Sequence, residues 1–148
     1  FSKVFHNMER DTMSRSIQKI ETENAPKAIG PYSQAIHVTM KGGDFLFVSG
    51  QIPIDPRTGS LVQGGIQEST RQVLDNIEAI LQAAHSSFDH VVRVEIFLKD
   101  LKDFPIVNEE YKKRFTSIHF PARQTIQVAK LPLDAPIEIS CMAICPSE

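Results

Sequence analysis

The chain has 148 residues, 41% hydrophobic and 23% charged, with 16 Lys and Arg against 18 Asp and Glu and a formal net charge of −2. That is an ordinary soluble globular composition, and it fits one domain whose core needs neither metals nor disulfides. The pI near 6.2 and the lack of a basic tract make duplex nucleic acid and acidic membranes poor default partners, and no segment approaches the ~20 apolar residues of a membrane span.

The first residues, FSKVFHNMERDTMSR, hold no apolar signal-peptide core, and Glu9 and Asp11 speak against an organelle transit peptide. Residues 1–15 therefore read as a frayed or added arm, residues 16–148 as the domain, and the cytoplasm as the expected location. Ile17–Glu21 suggests a short strand, and ENAPKAIGPYSQ an irregular loop. Ala35–Met40 and Phe45–Ser49 flank KGGD, a hairpin turn in which glycine supplies positive φ. GQIPIDPRTGS reads as a second loop. Gly65–Ser86 predicts a helix, because Ile66, Val73, Ile77, Ile80, Leu81 and Ala84 recur at helical spacing.

Val91–Leu98 (VVRVEIFL) reads as a strand. A second helix is expected over Asp103–Ser117, with Asp103 as N-cap and Pro105 in the first turn. Phe104, Val107, Tyr111, Phe115 and Ile118 supply its apolar face. Two closing strands, Arg123–Ala129 and Ile137–Cys141, are expected to form a hairpin centred near Lys130–Leu131. Cys141 and Cys145 lie four apart in one predicted strand, so their Cα atoms stand roughly 13 Å apart. That is too far for a disulfide, and buried free thiols are expected. The pattern predicts an α+β fold: a mixed sheet of about six strands with two helices on one face. Several strands look apolar on both sides, which favours an oligomer.

Arg123 and Glu138 are permanent charges in otherwise apolar strands. The expected hairpin sets them across from each other, at the 4.5–5.5 Å Cβ spacing typical of cross-strand neighbours. One reading is an ion pair that fixes strand register, although desolvation makes such pairs weak sources of stability. The other is a carboxylate-binding arginine fork beside a glutamate that activates water. Spacing does not choose between them.

Four stretches carry a resemblance: IGPYSQA (Ile29–Ala35), VSGQIP (Val48–Pro53), FPARQTIQVAKLP (Phe120–Pro132) and IEI (Ile137–Ile139). Together with DPRTG, LDNIEAIL and DLKDFPIVNEEY, they resemble the reactive-intermediate deaminase A (RidA/YjgF) family over Ile20 to Cys145. Older names for that family are translation inhibitor and perchloric-acid-soluble (L-PSP) ribonuclease. The resemblance implies a chorismate-mutase-like subunit in a homotrimer with clefts between subunits. It implies a 2-iminobutanoate/2-iminopropanoate deaminase. Such an enzyme hydrolyses enamine/imine intermediates, such as 2-aminoacrylate from pyridoxal-phosphate-dependent serine and threonine dehydratases, to 2-oxo acids and ammonia. No metal or organic cofactor is implied.

By the same resemblance, Arg123 matches the clamp for the substrate carboxylate and Glu138 the residue that orients the hydrolytic water. Tyr32 matches a tyrosine lining the cleft, Gly50 a backbone contact and Asn108 an asparagine of the cleft wall. Thr125 stands where many members have cysteine, which affects the pocket's fine shape, and Gln124 replaces a smaller residue. Two other functions stay open: a ribonuclease or RNA-binding translation inhibitor, which the charge disfavours, and a non-catalytic trimer that binds 2-oxo acids. His6, His37, His85, His90 and His119 show no metal-ligand spacing. Ser49 lacks the context of a nucleophile elbow.

Overall fold

A computed structural model describes residues 16–116 and 119–146. The expected arm over residues 1–15 and the apolar contact of Ile118 lie outside the described residues, whereas the second helix, expected as far as Ser117, ends at Lys112 with Lys113 as its C-cap. Strands β1 (Ser16–Ile20), β2 (Ala35–Met40), β3 (Gly43–Gln51), β6 (Val91–Leu98), β7 (Ala122–Gln127) and β8 (Ile137–Cys145) form one mixed sheet in the order β1-β2-β3-β8-β6-β7. All neighbours in it are antiparallel except β6 and β7. Helices α1 (Ile66–Ala83) and α2 (Phe104–Lys112) supply the second layer. The expected fold class, two helices with a mixed six-stranded sheet, is what the chain adopts.

The core follows from strand alternation. Leu46 and Val48 on β3, Val94, Ile96 and Leu98 on β6, and Ile137, Ile139, Cys141 and Ala143 on β8 are buried. They pack in one cluster with Val73, Leu74, Ile77, Ile80 and Leu81 of α1. Cys141 and Cys145 are buried free thiols, as expected. The opposite face is also apolar. Phe45, Phe47, Met142, Ile144, Phe97 and Ile126 alternate with the core residues and share register rows across the sheet. Phe47 and Ile144 remain 42% and 41% exposed.

The KGGD hairpin forms, with Met40 opposite Gly43 and Gly42 at φ 98. The loop predicted over GQIPIDPRTGS instead contains a two-stranded ribbon, β4 (Ile54–Asp55) with β5 (Ser60–Leu61). Asp55 closes its turn by accepting from the Arg57 backbone and guanidinium at 2.9 and 2.8 Å. The buried Asn76 of α1 anchors the ribbon by donating to the Ile54 carbonyl at 2.9 Å.

Two expectations need correction. Asp103 precedes α2 but makes no side-chain cap bond. Capping falls to Asp100, which accepts from the Lys102 N–H at 2.9 Å and opens a 3-10 turn over Leu101–Asp103. More consequentially, the last two strands are not a hairpin, because β6 lies between them. The connection steps across the end of β6 and bonds to it on both sides: Val128 N–H donates to the Leu98 carbonyl at 2.9 Å and Lys99 N–H to the Pro136 carbonyl at 3.0 Å. Leu131 and Ala135 in that connection are buried, and Leu133 and Asp134 turn the chain at φ 54 and 56. A strand as apolar as β8 belongs in the sheet interior, where β3 and β6 satisfy both its edges.

Candidate functional site

Arg123 sits on the edge strand β7. Its register partner is Val94, a core residue, so its side chain projects on the helix face. There Nη1 donates to Asn108 Oδ1 at 2.8 Å. The guanidinium carbon lies 4.7 Å from the centroid of the Tyr111 ring and 5.3 Å from that of Phe104. Phe104, Asn108 and Tyr111 occur at i, i+4 and i+7 of α2, one stripe of the helix.

Arg123, Asn108, Tyr111 and Phe120 line a cleft of ≈ 570 Å³. No carboxylate pairs with Arg123 among the described residues, so its charge stands ready for an anion. Thr125, two residues further on, faces the same side opposite Ile96, and its Oγ1 is buried with no hydrogen-bond partner among the described residues. Burial pushes the Tyr111 phenol up to about 12, against the opposing pull of Arg123.

Glu138 occupies different ground. It pairs with Phe97 and faces away from the helices, between the buried Ile137 and Ile139. Half-burial holds its carboxyl above the ordinary range. A bulge in β3 makes room for it, since the β3–β8 register shifts between Val48 and Gln51. A Cβ on Gly50 would stand 2.5 Å from Glu138 Oε1 and 2.9 Å from its Cδ, so only glycine lets the carboxylate lie against the backbone.

The bulge is tied to the loop that carries Tyr32. Ser49 donates from its N–H to the Gln34 carbonyl at 2.9 Å and from its hydroxyl to the Ser33 carbonyl at 2.6 Å. Gln34 is itself buried and donates to the Thr22 and Pro26 carbonyls at 3.0 and 2.7 Å. Tyr32 stays 47% exposed.

The expected pairing of Arg123 with Glu138 is therefore incorrect within one chain. Val94, the row of Arg123, and Phe97, the row of Glu138, are three residues apart on β6 and so face opposite sides. Two strand spacings and three residues separate the backbones by roughly 14 Å. The candidate residues separate: Arg123 with Asn108 and Thr125 on one side, Glu138 with Gly50 on the other, and Tyr32 folded over its own loop, its hydroxyl accepting from the Ile29 N–H at 3.3 Å.

A sequence profile of the family described as Endoribonuclease L-PSP matches residues 22–145. The chain belongs to the RidA/YjgF family. A RutC family protein of Pyrococcus horikoshii is 54% identical over 124 residues, covering 84% of this chain and 94% of that one. A human protein named 2-iminobutanoate/2-iminopropanoate deaminase is 47% identical over 133 residues, 89% of this chain and 93% of that one. The crystal structure of Escherichia coli TdcF with bound serine superposes with a TM-score of 0.78 at 39% identity, covering 87% and 99% of the two chains.

Within this RidA-type chain, two residues beside Arg123 carried no functional expectation. Phe104 and Tyr111 entered only as apolar helix positions, yet both rings lie over the guanidinium. Their i, i+4, i+7 spacing with Asn108 was the available signal. Among the described residues, no helix is long and apolar enough to cross a membrane, and no three His, Cys, Asp or Glu side chains group as a metal site.

Proposed function

We propose that the chain is a 2-iminobutanoate/2-iminopropanoate deaminase that hydrolyses enamine/imine acids to 2-oxo acids and ammonia. The observation that carries this reading is Arg123, a cation without a carboxylate partner among the described residues, held by Asn108 in an open cleft. The human deaminase relative supports it. So does the serine in the TdcF structure, a ligand with the α-carboxylate that an arginine fork takes bidentately.

Once its nitrogen is protonated, an imine carbon is electrophilic enough to need no covalent nucleophile. Arg123 fixes the substrate carboxylate and so orients that carbon. Glu138 takes a proton from water as the oxygen adds, giving a carbinolamine. It then returns that proton to nitrogen; as the C–N bond breaks and ammonia leaves, the carbinolamine hydroxyl gives its own proton to the freed Glu138 carboxylate, which passes it on to ammonia or solvent and leaves the 2-oxo acid. Its raised proton affinity suits both halves of that exchange. Because the two groups face opposite sides of one subunit, the complete site takes Arg123 from one copy and Glu138 from the next. The apolar face around Phe47 and Ile144 is the surface a neighbouring copy would cover, in a homotrimer with three clefts.

The test couples the protein to a serine or threonine dehydratase and follows ammonia release. Acceleration over buffer is expected, and no acceleration ends the reading. In that case a salt-dependent affinity for single-stranded RNA would favour the endoribonuclease named in the family description. The pH profile has a definite sign. Glu138 acts as the carboxylate, so the rate rises with pH through an apparent pKa above the ordinary carboxylate value, and Glu138→Gln flattens that limb. Gly50→Ala, which drives a methyl group into the Glu138 carboxylate, is expected to lower kcat about tenfold with little change in KM. Wild-type kcat in that variant would show the close approach to be incidental.

A further inference from the structure

We infer that Phe104 and Tyr111 are positioning residues for Arg123, a pair of aromatic walls that set the guanidinium fork before any carboxylate arrives. This deepens the deaminase reading and rests on it for the identity of the ligand. The argument begins with what Arg123 lacks. It projects from an edge strand, is exposed, and has no carboxylate partner among the described residues. An arginine in that state samples many rotamers, and a bidentate clamp works only when its planar fork presents the correct edge.

One helix supplies the restraint. Tyr111 and Phe104 place their rings 4.7 and 5.3 Å from the guanidinium carbon, inside the range in which a cation is attracted to an aromatic face. Asn108, between them on the same stripe, takes Nη1. No partner for Nε or Nη2 is found among the described residues, which leaves that edge for a ligand in the cleft.

The walls differ in their other duties. Tyr111 is 3% exposed and packs on Phe115 at a centroid distance of 4.4 Å, so it also belongs to the core. Phe104 is only partly buried against that core, so it can be changed without opening the interior. The Tyr111 hydroxyl has no hydrogen-bond partner among the described residues, so it is the ring that serves the arginine.

The experiment measures 2-oxobutanoate binding by calorimetry and the order of the Arg123 side chain by 15Nε relaxation. Wild type is compared with Phe104→Leu, Tyr111→Leu and Tyr111→Phe, each also combined with Arg123→Ala. Phe104→Leu is expected to weaken binding about three- to fivefold, the contribution of one exposed cation–π contact. It should also raise KM with kcat nearly unchanged and loosen the Arg123 resonance. Tyr111→Phe, which keeps the ring, should bind like wild type where Tyr111→Leu does not. In the Arg123→Ala background the effects of both walls should vanish, as coupled residues require.

An Arg123 resonance as ordered in Phe104→Leu as in wild type would overturn the inference. The same loss of affinity with and without Arg123 would do so too. If wild type does not bind 2-oxobutanoate at all, the ligand reading falls, and the Arg123 resonance still decides the positioning claim.

Discussion

Arg123→Ala is expected to lower kcat/KM for imine hydrolysis by about 10²–10³-fold, the scale of losing a charge-assisted fork on a carboxylate. Glu138→Gln should lose about as much, mainly in kcat, because general acid–base assistance contributes roughly 10²–10⁴-fold. Both estimates concern one site, yet the two side chains leave their sheet on opposite faces. Mixing the two dead variants therefore discriminates further. If each cleft draws its arginine and its glutamate from different copies, unfolding and reassembling the variants in equal amounts creates intact clefts. For random assembly into a closed ring, about a quarter of the clefts combine the two wild-type residues. Recovery of about a quarter of wild-type activity is the expected result. A mixture as inactive as its components would mean that one chain supplies both groups, against the register seen here.

Glu110→Gln is expected to cost about 2–3 kcal/mol of stability at neutral pH. Glu110 is 4% exposed and joins the two helices. Its carboxylate accepts from Arg71 at 3.0 and 3.3 Å, Gln67 at 2.8 Å and Lys113 at 3.0 Å. Hydrogen bonds from Arg71, Gln67 and Lys113, in that order, hold its pKa down from 4.5 to about 2. By linkage that difference is worth at most about 3 kcal/mol, and less because Arg71 and Lys113 are themselves half exposed.

The sign follows from the depressed value. The stabilisation is complete above the unfolded pKa of 4.5 and fades as pH falls toward about 2. Urea unfolding at matched protein concentration should separate wild type from Glu110→Gln at pH 7 and bring them together near pH 2. A constant gap across that range would assign the loss to packing instead of charge.

Local elements were legible where one periodicity ruled. The apolar stripe of α1 and the alternation in Val91–Leu98 set those elements to within a few residues. The KGGD turn announced itself through its glycines. The placement of β8 was not legible as local pattern, since nine residues between two strands suit a hairpin as well as a step across a third strand. Its second half, Cys141 to Cys145, is apolar on both faces of the strand, which favours the interior, but that cue works only once the whole sheet is considered. The error carried straight into the site, because it set Arg123 and Glu138 face to face. Motif resemblance singled out both residues without any register, along with Gly50, whose reason for being glycine became physical only when the carboxylate stood against it. The roles of Phe104 and Tyr111 stayed hidden because an aromatic that packs and one that holds a cation look alike in a sequence.

The position of β8 also constrains how the molecule comes into being. Residues 137–145 bridge two half-sheets, β1 to β3 and β6 with β7, that share no ladder of their own. A nascent chain that has emerged only as far as residue 136 holds two sheet fragments with raw inner edges and an incomplete interior, a state open to association with other chains. The sheet closes in one late, long-range event, when the final strand slides between partners made much earlier in synthesis. Proteolytic loss of that strand would remove the seam of the whole sheet, together with the glutamate it carries.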